Sequence, residues 1–291
     1  MKFIISIRYL IEFFLFKIIF FLLQLFSQRI SSMIISNSLL FLGKFSKYNQ
    51  IAKNNCKIVF PDLEDKEITK IINNSWKNLG KNLFEITYLN KLVNDKSAIE
   101  IKGVKILERI KKETTPVIFF STHSSNWEIC VPILDHNSFN IGAIYRHINN
   151  NYFDSYIYKK RTDALKTKNS FYTPKGRVSA KEILEGVINN KNIFLLVDQK
   201  DSAGSLIDFF GKKVKTQTGF LKIARKYNLK IVPMKNIRLP NNKLQITFEE
   251  PLEHNNKQIS DEKKMHEINN IIEGWIRENP GNWFWQHKRF N

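Results

Sequence analysis

The sequence predicts an α/β fold, a sheet with helices on its faces, from three observations. Five short apolar runs, at residues 117–122, 141–145, 193–197, 231–234 and 244–248, have the length and composition of buried strands. Stretches of helical periodicity lie among them at 64–92, 154–166, 179–189, 217–227 and 260–278, and this alternation marks an α/β architecture. A chain of 291 residues, 43% hydrophobic and 13% aromatic, also has enough apolar surface to form a core, which excludes intrinsic disorder. The 11 glycines and 8 prolines are scattered, so no linker divides the chain.

The first element is an apolar segment at residues 3–26, interrupted by Arg8, Glu12, Lys17 and Gln24, with its longest unbroken apolar run at 18–23. A charge near the bilayer centre costs roughly 2.5–3.5 kcal/mol, so spanning is expensive. Arg8 and Glu12, four apart, share a helical face and can pair, and Lys17 can snorkel. A tilted span, an in-plane interfacial helix and a buried helix of the body all fit this pattern. No small-residue cleavage site follows, so we expect a retained membrane anchor over 1–28 and an α/β domain over 29–291.

In the helix expected at 64–92, Ile68, Ile71, Ile72, Trp76, Leu79, Leu83, Phe84 and Ile86 cluster on one side and Lys66, Lys70, Lys77 and Lys81 lie off it. The strands follow. In α/β sheets reactive groups gather just beyond the carboxyl ends of strands, so those junctions are the places to search.

The formal charge of +19 requires a partner: nucleic acid, an anionic membrane or an acidic protein. No helix-turn-helix, zinc-finger or RNP-type motif is present, and the positive residues are dispersed, which argues against nucleic acid. Cys56 and Cys130 have no C-x-x-C spacing and no paired histidine motif, so neither a disulfide framework, nor a metal site, nor a cysteine nucleophile is expected. No cofactor motif occurs either. Lys212, Lys213 and Lys215 read as a solvated loop.

The run at 117–122 leads directly into His123-Ser124-Ser125-Asn126-Trp127-Glu128. A carboxylate on one imidazole nitrogen fixes the tautomer and makes the other nitrogen more basic, as removal of a proton from an alcohol requires. Glu128, five residues on, is the local candidate for that carboxylate. Ser125-Asn126-Trp127-Glu128 equally matches the S-x-x-E capping box, and spacing alone slightly favours the cap.

The segment His123-Ser-Ser-Asn-Trp-Glu128 resembles the H-x-x-N-W-E block of the bacterial lipid A late acyltransferases, the lauroyl/myristoyl transferase family. Further blocks follow the family order. Asn55-Cys-Lys-Ile-Val-Phe-Pro61 resembles N-x-x-x-x-F-P, and Trp76-Lys-Asn-Leu-Gly80 with Glu85 resembles the helix after it. Tyr145-Arg146 with Asn149, Asn150 and Asp154 resembles Y-R-P-x-x-N, and Arg161 matches the arginine ending the next helix. Leu184-x-Gly186, Asp198-Gln199, Phe209-Phe210-Gly211, Thr218-Gly219 with Ala224, and the tail Asn279-Pro280 to Trp283-x-Trp285-x-His287-x-Arg289 complete the series. Ser125 replaces the usual glycine of the first block and His147 the proline after Tyr-Arg. Glycerol-phosphate acyltransferases usually pair His with Asp and carry E-G-T-R, whereas here Glu185-Gly186 continues with Val187.

The resemblance implies a central mixed sheet flanked by helices, glycerol-phosphate-acyltransferase-like. It implies acyl transfer from acyl carrier protein thioester to a hydroxyl of a phosphorylated glycolipid, the lipid A precursor, with no cofactor or metal and no nucleic acid. An ornithine lipid, phospholipid or other glycolipid is the alternative acceptor. His123 is expected as general base oriented by Glu128. Arg161 is expected to clamp a phosphate or stabilise the oxyanion, held by Asp198, with Arg146 a further phosphate contact; an ordinary interior ion pair is the alternative for Arg161 and Asp198. The expected location is the bacterial inner membrane, with the catalytic domain on its cytoplasmic side. The tail around Trp283 and Trp285 fits a membrane-interface belt and a short core strand equally well.

Overall fold

The computed structural model describes residues 2–254 and 259–290. Five helices come first: α1 (Lys2–Leu23), α2 (Gln28–Lys44), α3 (Lys47–Val59), α4 (Asp65–Glu85) and α5 (Leu89–Asn94). Then follow β1 (Ile99–Lys102), α6 (Val104–Lys112), β2 (Val117–Ser121), α7 (Cys130–His136), β3 (Ile141–Tyr145), α8 (Asn151–Asp163), β4 (Phe171–Pro174), α9 (Arg177–Ile188) and β5 (Asn192–Leu196). The chain closes with β6 (Lys200–Phe209), β7 (Lys212–Thr216), α10 (Gly219–Tyr227), β8 (Lys230–Arg238), β9 (Leu244–Phe248) and α11 (Asp261–Glu278).

Seven strands form one sheet in the order β1-β9-β8-β2-β5-β3-β4, and β6 with β7 forms a separate antiparallel pair. Every pairing in the large sheet is parallel except β8 with β9, so the sheet is mixed, as expected. All five apolar runs are strands. β1, β4 and the β6–β7 pair were not foreseen: they are short or largely polar and lack a continuous apolar run. The lysines read as a loop, Lys212, Lys213 and Lys215, lie exposed on β7.

β2 sits in the middle of the sheet and is buried throughout, because helices cover both faces. Its side chains alternate between the two cores. Ile118 and Phe120 join Ile193, Leu195 and Ile231 beneath α9, α10 and α11, while Val117 and Phe119 join Phe194 and Val232 beneath α6 and α7. Each fully buried phenylalanine contributes about 2–3 kcal/mol.

The block containing Trp76 and Gly80 is a packing device. α2 lies against α4 at glycine positions: a Cβ at Gly80 would stand 2.6 Å from Ser36 Cα, and one at Gly43 2.5 Å from the Trp76 ring. α1 packs Phe13 and Phe16 edge-to-face against Phe153 and Tyr156 of α8. Asn150 caps α8 and donates to Tyr9 O at 3.0 Å, and Arg8 pairs with Glu12 at 3.3 Å. No described helix is long and apolar enough to cross a membrane. The opposite face of α1 leaves Ile4, Phe14 and Phe21 largely exposed, and α2 does the same with Met33, Phe41 and Leu42.

Candidate active site

β2 and β5 are parallel neighbours, paired as far as Ser121 with Leu196, and Val197 N donates to Ser121 O at 3.2 Å. The residues after their carboxyl ends therefore emerge side by side. They are His123 and Asp198. His123 Nδ1 lies 2.7 Å from Asp198 Oδ1, and His123 N donates to Asp198 Oδ2 at 2.9 Å. A carboxylate facing Nδ1 makes that nitrogen the donor, which leaves Nε2 as the basic atom. Asp198 is almost wholly buried and the His123 side chain is 18% exposed.

The structure thus exchanges the partners suggested by the sequence. Glu128 does not orient His123 and Asp198 does not hold Arg161. Glu128 instead takes the guanidinium of Arg161 in a two-point contact, Nε to Oε2 at 2.6 Å and Nη2 to Oε1 at 2.7 Å. Trp127 Nε1 adds a bond to Oε1 at 3.1 Å. The reason is topological. Strand adjacency delivers Asp198 to the imidazole, while the short turn at Trp127–Ile129 turns Glu128 toward α8, where Arg161 sits. The capping box is also absent: Asn126 accepts the Glu128 N–H at 3.0 Å, and Ser125 Oγ has no partner among the described residues.

Electrostatics follow these contacts. Burial would raise both carboxyls, yet the charge and hydrogen bonds of Arg161, with Trp127, hold Glu128 below its ordinary value. The interactions with His123 and the Trp283 N–H do the same for Asp198. Burial works against the Arg161 charge, but Glu128 holds its proton more tightly than usual. Burial pushes both Cys56 and Cys130 up to about 12, so neither is a thiolate at neutral pH. Among the described residues no group of three or more His, Cys, Asp or Glu side chains is able to hold a metal.

The site is therefore one imidazole–carboxylate couple with a buried carboxylate and a partly exposed ring, beside one half-buried guanidinium–carboxylate couple. Arg146 lies exposed on the loop after β3, and His147 pairs with Asp154 at 2.6 Å. Tyr145 faces the Arg161 guanidinium, 5.6 Å from its ring centroid.

Several participants were not foreseen. Trp283 and Trp285 are core residues rather than an interface belt, 2% and 0% exposed. Trp283 Nε1 donates to Asp198 Oδ2 at 2.7 Å, and Phe284 N to His123 O at 2.9 Å. Lys200 N donates to His287 Nε2 at 3.0 Å, and burial lowers His287 to about 4, so its imidazole is neutral. Behind the loop lies Arg238, bonded to Glu85 at 2.6 and 2.7 Å and to Asn78 at 2.8 Å. Glu85 also accepts Asn126 Nδ2 at 2.8 Å, and Asn82 donates to Ser125 O. The available signal was a glutamate on the apolar side of one helix and an arginine ending an apolar strand, each of which needs a partner.

The sheet delivers an imidazole and its carboxylate from adjacent strand ends, with no thiolate near them, an arrangement whose chemistry suits taking a proton from a hydroxyl. The chain belongs to the bacterial lipid A biosynthesis acyltransferase family, whose model matches residues 1–291, and the protein is accordingly an acyltransferase. No match is found among curated proteins. Among solved structures, the 1-acyl-sn-glycerophosphate (LPA) acyltransferase PlsC from Thermotoga maritima is similar at 14% identity and a TM-score of 0.42, over 88% of this chain and 99% of that one.

Proposed function

We propose that the protein moves a fatty acyl chain from an acyl carrier protein thioester to a hydroxyl of a lipid A precursor, with His123 as general base and Asp198 as its orienting partner. The observation that carries this reading is the 2.7 Å contact between His123 Nδ1 and Asp198 Oδ1, which leaves Nε2 free to accept a proton. Nε2 takes the proton of the acceptor hydroxyl as its oxygen attacks the thioester carbonyl. The C–O bond forms, the C–S bond breaks, and the departing thiolate takes the proton back from His123. No covalent acyl-enzyme is required.

In this reading Arg161 presents its remaining N–H groups to the acceptor phosphate or the developing oxyanion, while Glu128 keeps the guanidinium charged and fixed. Arg146 adds positive charge at the rim. The exposed apolar faces of α1 and α2 support in-plane attachment to the inner membrane, with the catalytic domain on the cytoplasmic side. The +19 charge suits an acidic donor protein and an anionic lipid.

The test is incubation of detergent-purified protein with acyl carrier protein thioesters and a lipid extract, followed by mass identification of the acylated product. Acylation of a phosphorylated glucosamine lipid is expected. Exclusive acylation of an ornithine lipid or a phospholipid would move the acceptor, and no transfer from any thioester would overturn the reading.

A further inference from the structure

Asp198 is a buried carboxylate that accepts three hydrogen bonds: His123 Nδ1 at Oδ1, and His123 N and Trp283 Nε1 at Oδ2. Two of the donors belong to the histidine it orients. The third comes from the carboxy-terminal segment, 85 residues away in sequence. That segment also holds the histidine loop directly, through Phe284 N on His123 O at 2.9 Å and Ser125 N on Asn282 O at 2.8 Å. Ser75 Oγ in turn donates to Trp283 O at 2.6 Å, so the tryptophan is fixed from behind by α4.

A buried tryptophan normally directs its N–H to whatever acceptor is close, and the same segment provides a comparison. Trp285 is equally buried and packs edge-on against Trp283 at 4.7 Å, but its Nε1 donates to the backbone of Pro280 at 2.7 Å. Two indoles thus share one core, and only one reaches the carboxylate of the couple.

We infer that Trp283 is a positioning residue for the His123–Asp198 couple: its indole N–H fixes the rotamer of the carboxylate and moderates the negative charge that Asp198 presents to the imidazole. This rests on the role proposed above for His123. A carboxylate that loses one of three donors becomes a stronger acceptor for the remaining ones, so the imidazolium is favoured. A base that is protonated at higher pH is available over a narrower range.

Trp283→Phe removes the N–H and keeps an aromatic ring in the core, and Trp285→Phe is the matched control. In the full-length protein, nitrogen-15 labelling of the 6 histidines, with His123 assigned by its absence in His123→Ala, gives its titration midpoint without any turnover. The midpoint is expected to rise by about half a unit to one unit in Trp283→Phe and to stay in place in Trp285→Phe. With transfer established, the acidic limb of the kcat/KM profile should move up equally and kcat should fall several-fold with KM little changed. Equal loss of melting temperature in both variants with unmoved midpoints would reduce Trp283 to a core residue and overturn the inference. Absence of transfer in the unmodified protein would overturn the proposed function instead, and leave the midpoint comparison intact.

Discussion

On one face of the loop 123–128 lie the couples His123–Asp198 and Arg161–Glu128, whose basic members keep 18% and 15% of their side chains exposed. On the other face Arg238 and Glu85 meet at 6% and 7% exposure, closed in by Asn78, Asn82 and Asn126. Both regions are built from carboxylates and bases at hydrogen-bonding distance. They differ in which base a substrate can reach. The sealed guanidinium–carboxylate cluster braces the loop from behind, while the forward imidazole keeps an exposed edge toward the site. The loop sequence divides accordingly: His123 and Glu128 turn forward, and Ser125 and Asn126 turn back.

The sharpest way to break this comparison is to remove one charged or titratable partner from each side. His123→Ala is expected to lower acyl transfer by about 10²–10⁴ with only a small change in melting temperature. Glu85→Ala should do the reverse. It leaves the Arg238 charge buried and unpaired, which costs about 3–5 kcal/mol in denaturant unfolding, while the folded fraction retains its activity per molecule. Replacing both members, Glu85→Leu with Arg238→Met, should recover much of that loss, because both desolvation costs vanish together. If His123→Ala proved the less stable variant and Glu85→Ala the less active one, the division of roles would be wrong.

A smaller effect is expected from acid. Asp198 and Glu128 are both held below their ordinary values in the folded state. Their stabilisation is therefore complete above the unfolded carboxyl values of about 3.9 and 4.3, and is lost as the pH falls through the lower folded values. Melting temperature should drop below about pH 4, and Asp198→Asn or Glu128→Gln should flatten that drop. A protein whose acid sensitivity is unchanged in both variants would place the relevant carboxyls elsewhere.

What was legible in the sequence follows the same boundary. The five apolar strands and the helices between them are local patterns, and they are present within a few residues of where periodicity puts them. His123 was legible because a histidine ending an apolar strand is also a local feature. Its partner was not, since Asp198 reaches it only through the pairing of β2 with β5, a relation between segments 75 residues apart that no local spacing encodes. Glu128 was chosen for being close in the chain, and Arg161 took it across 33 residues for the same non-local reason. Trp283 was noticed as an aromatic, but its N–H partner depends on how the tail crosses the strand ends.

Ser125 offers the smallest test, and it concerns the hinge between the two regions. Its φ of +49° lies in the left-handed region, and it stands where the resembling family usually has glycine. Its backbone is used on both sides, N on Asn282 O and O toward Asn82, whereas its Oγ is buried without a partner among the described residues. The side chain thus adds two costs, a strained φ and an unmet hydroxyl, each about 1 kcal/mol. Ser125→Gly removes both but gives the unfolded chain more freedom, worth about 0.4–1 kcal/mol in the other direction. The net expectation is a gain of about 1 kcal/mol in unfolding free energy, with transfer activity unchanged, because His123 and Glu128 keep their partners. A loss of stability would mean that the hydroxyl has a use, and a loss of activity with stability intact would mean that the stiffness of Ser125, rather than the bonds to its backbone, keeps the forward and rear clusters in register.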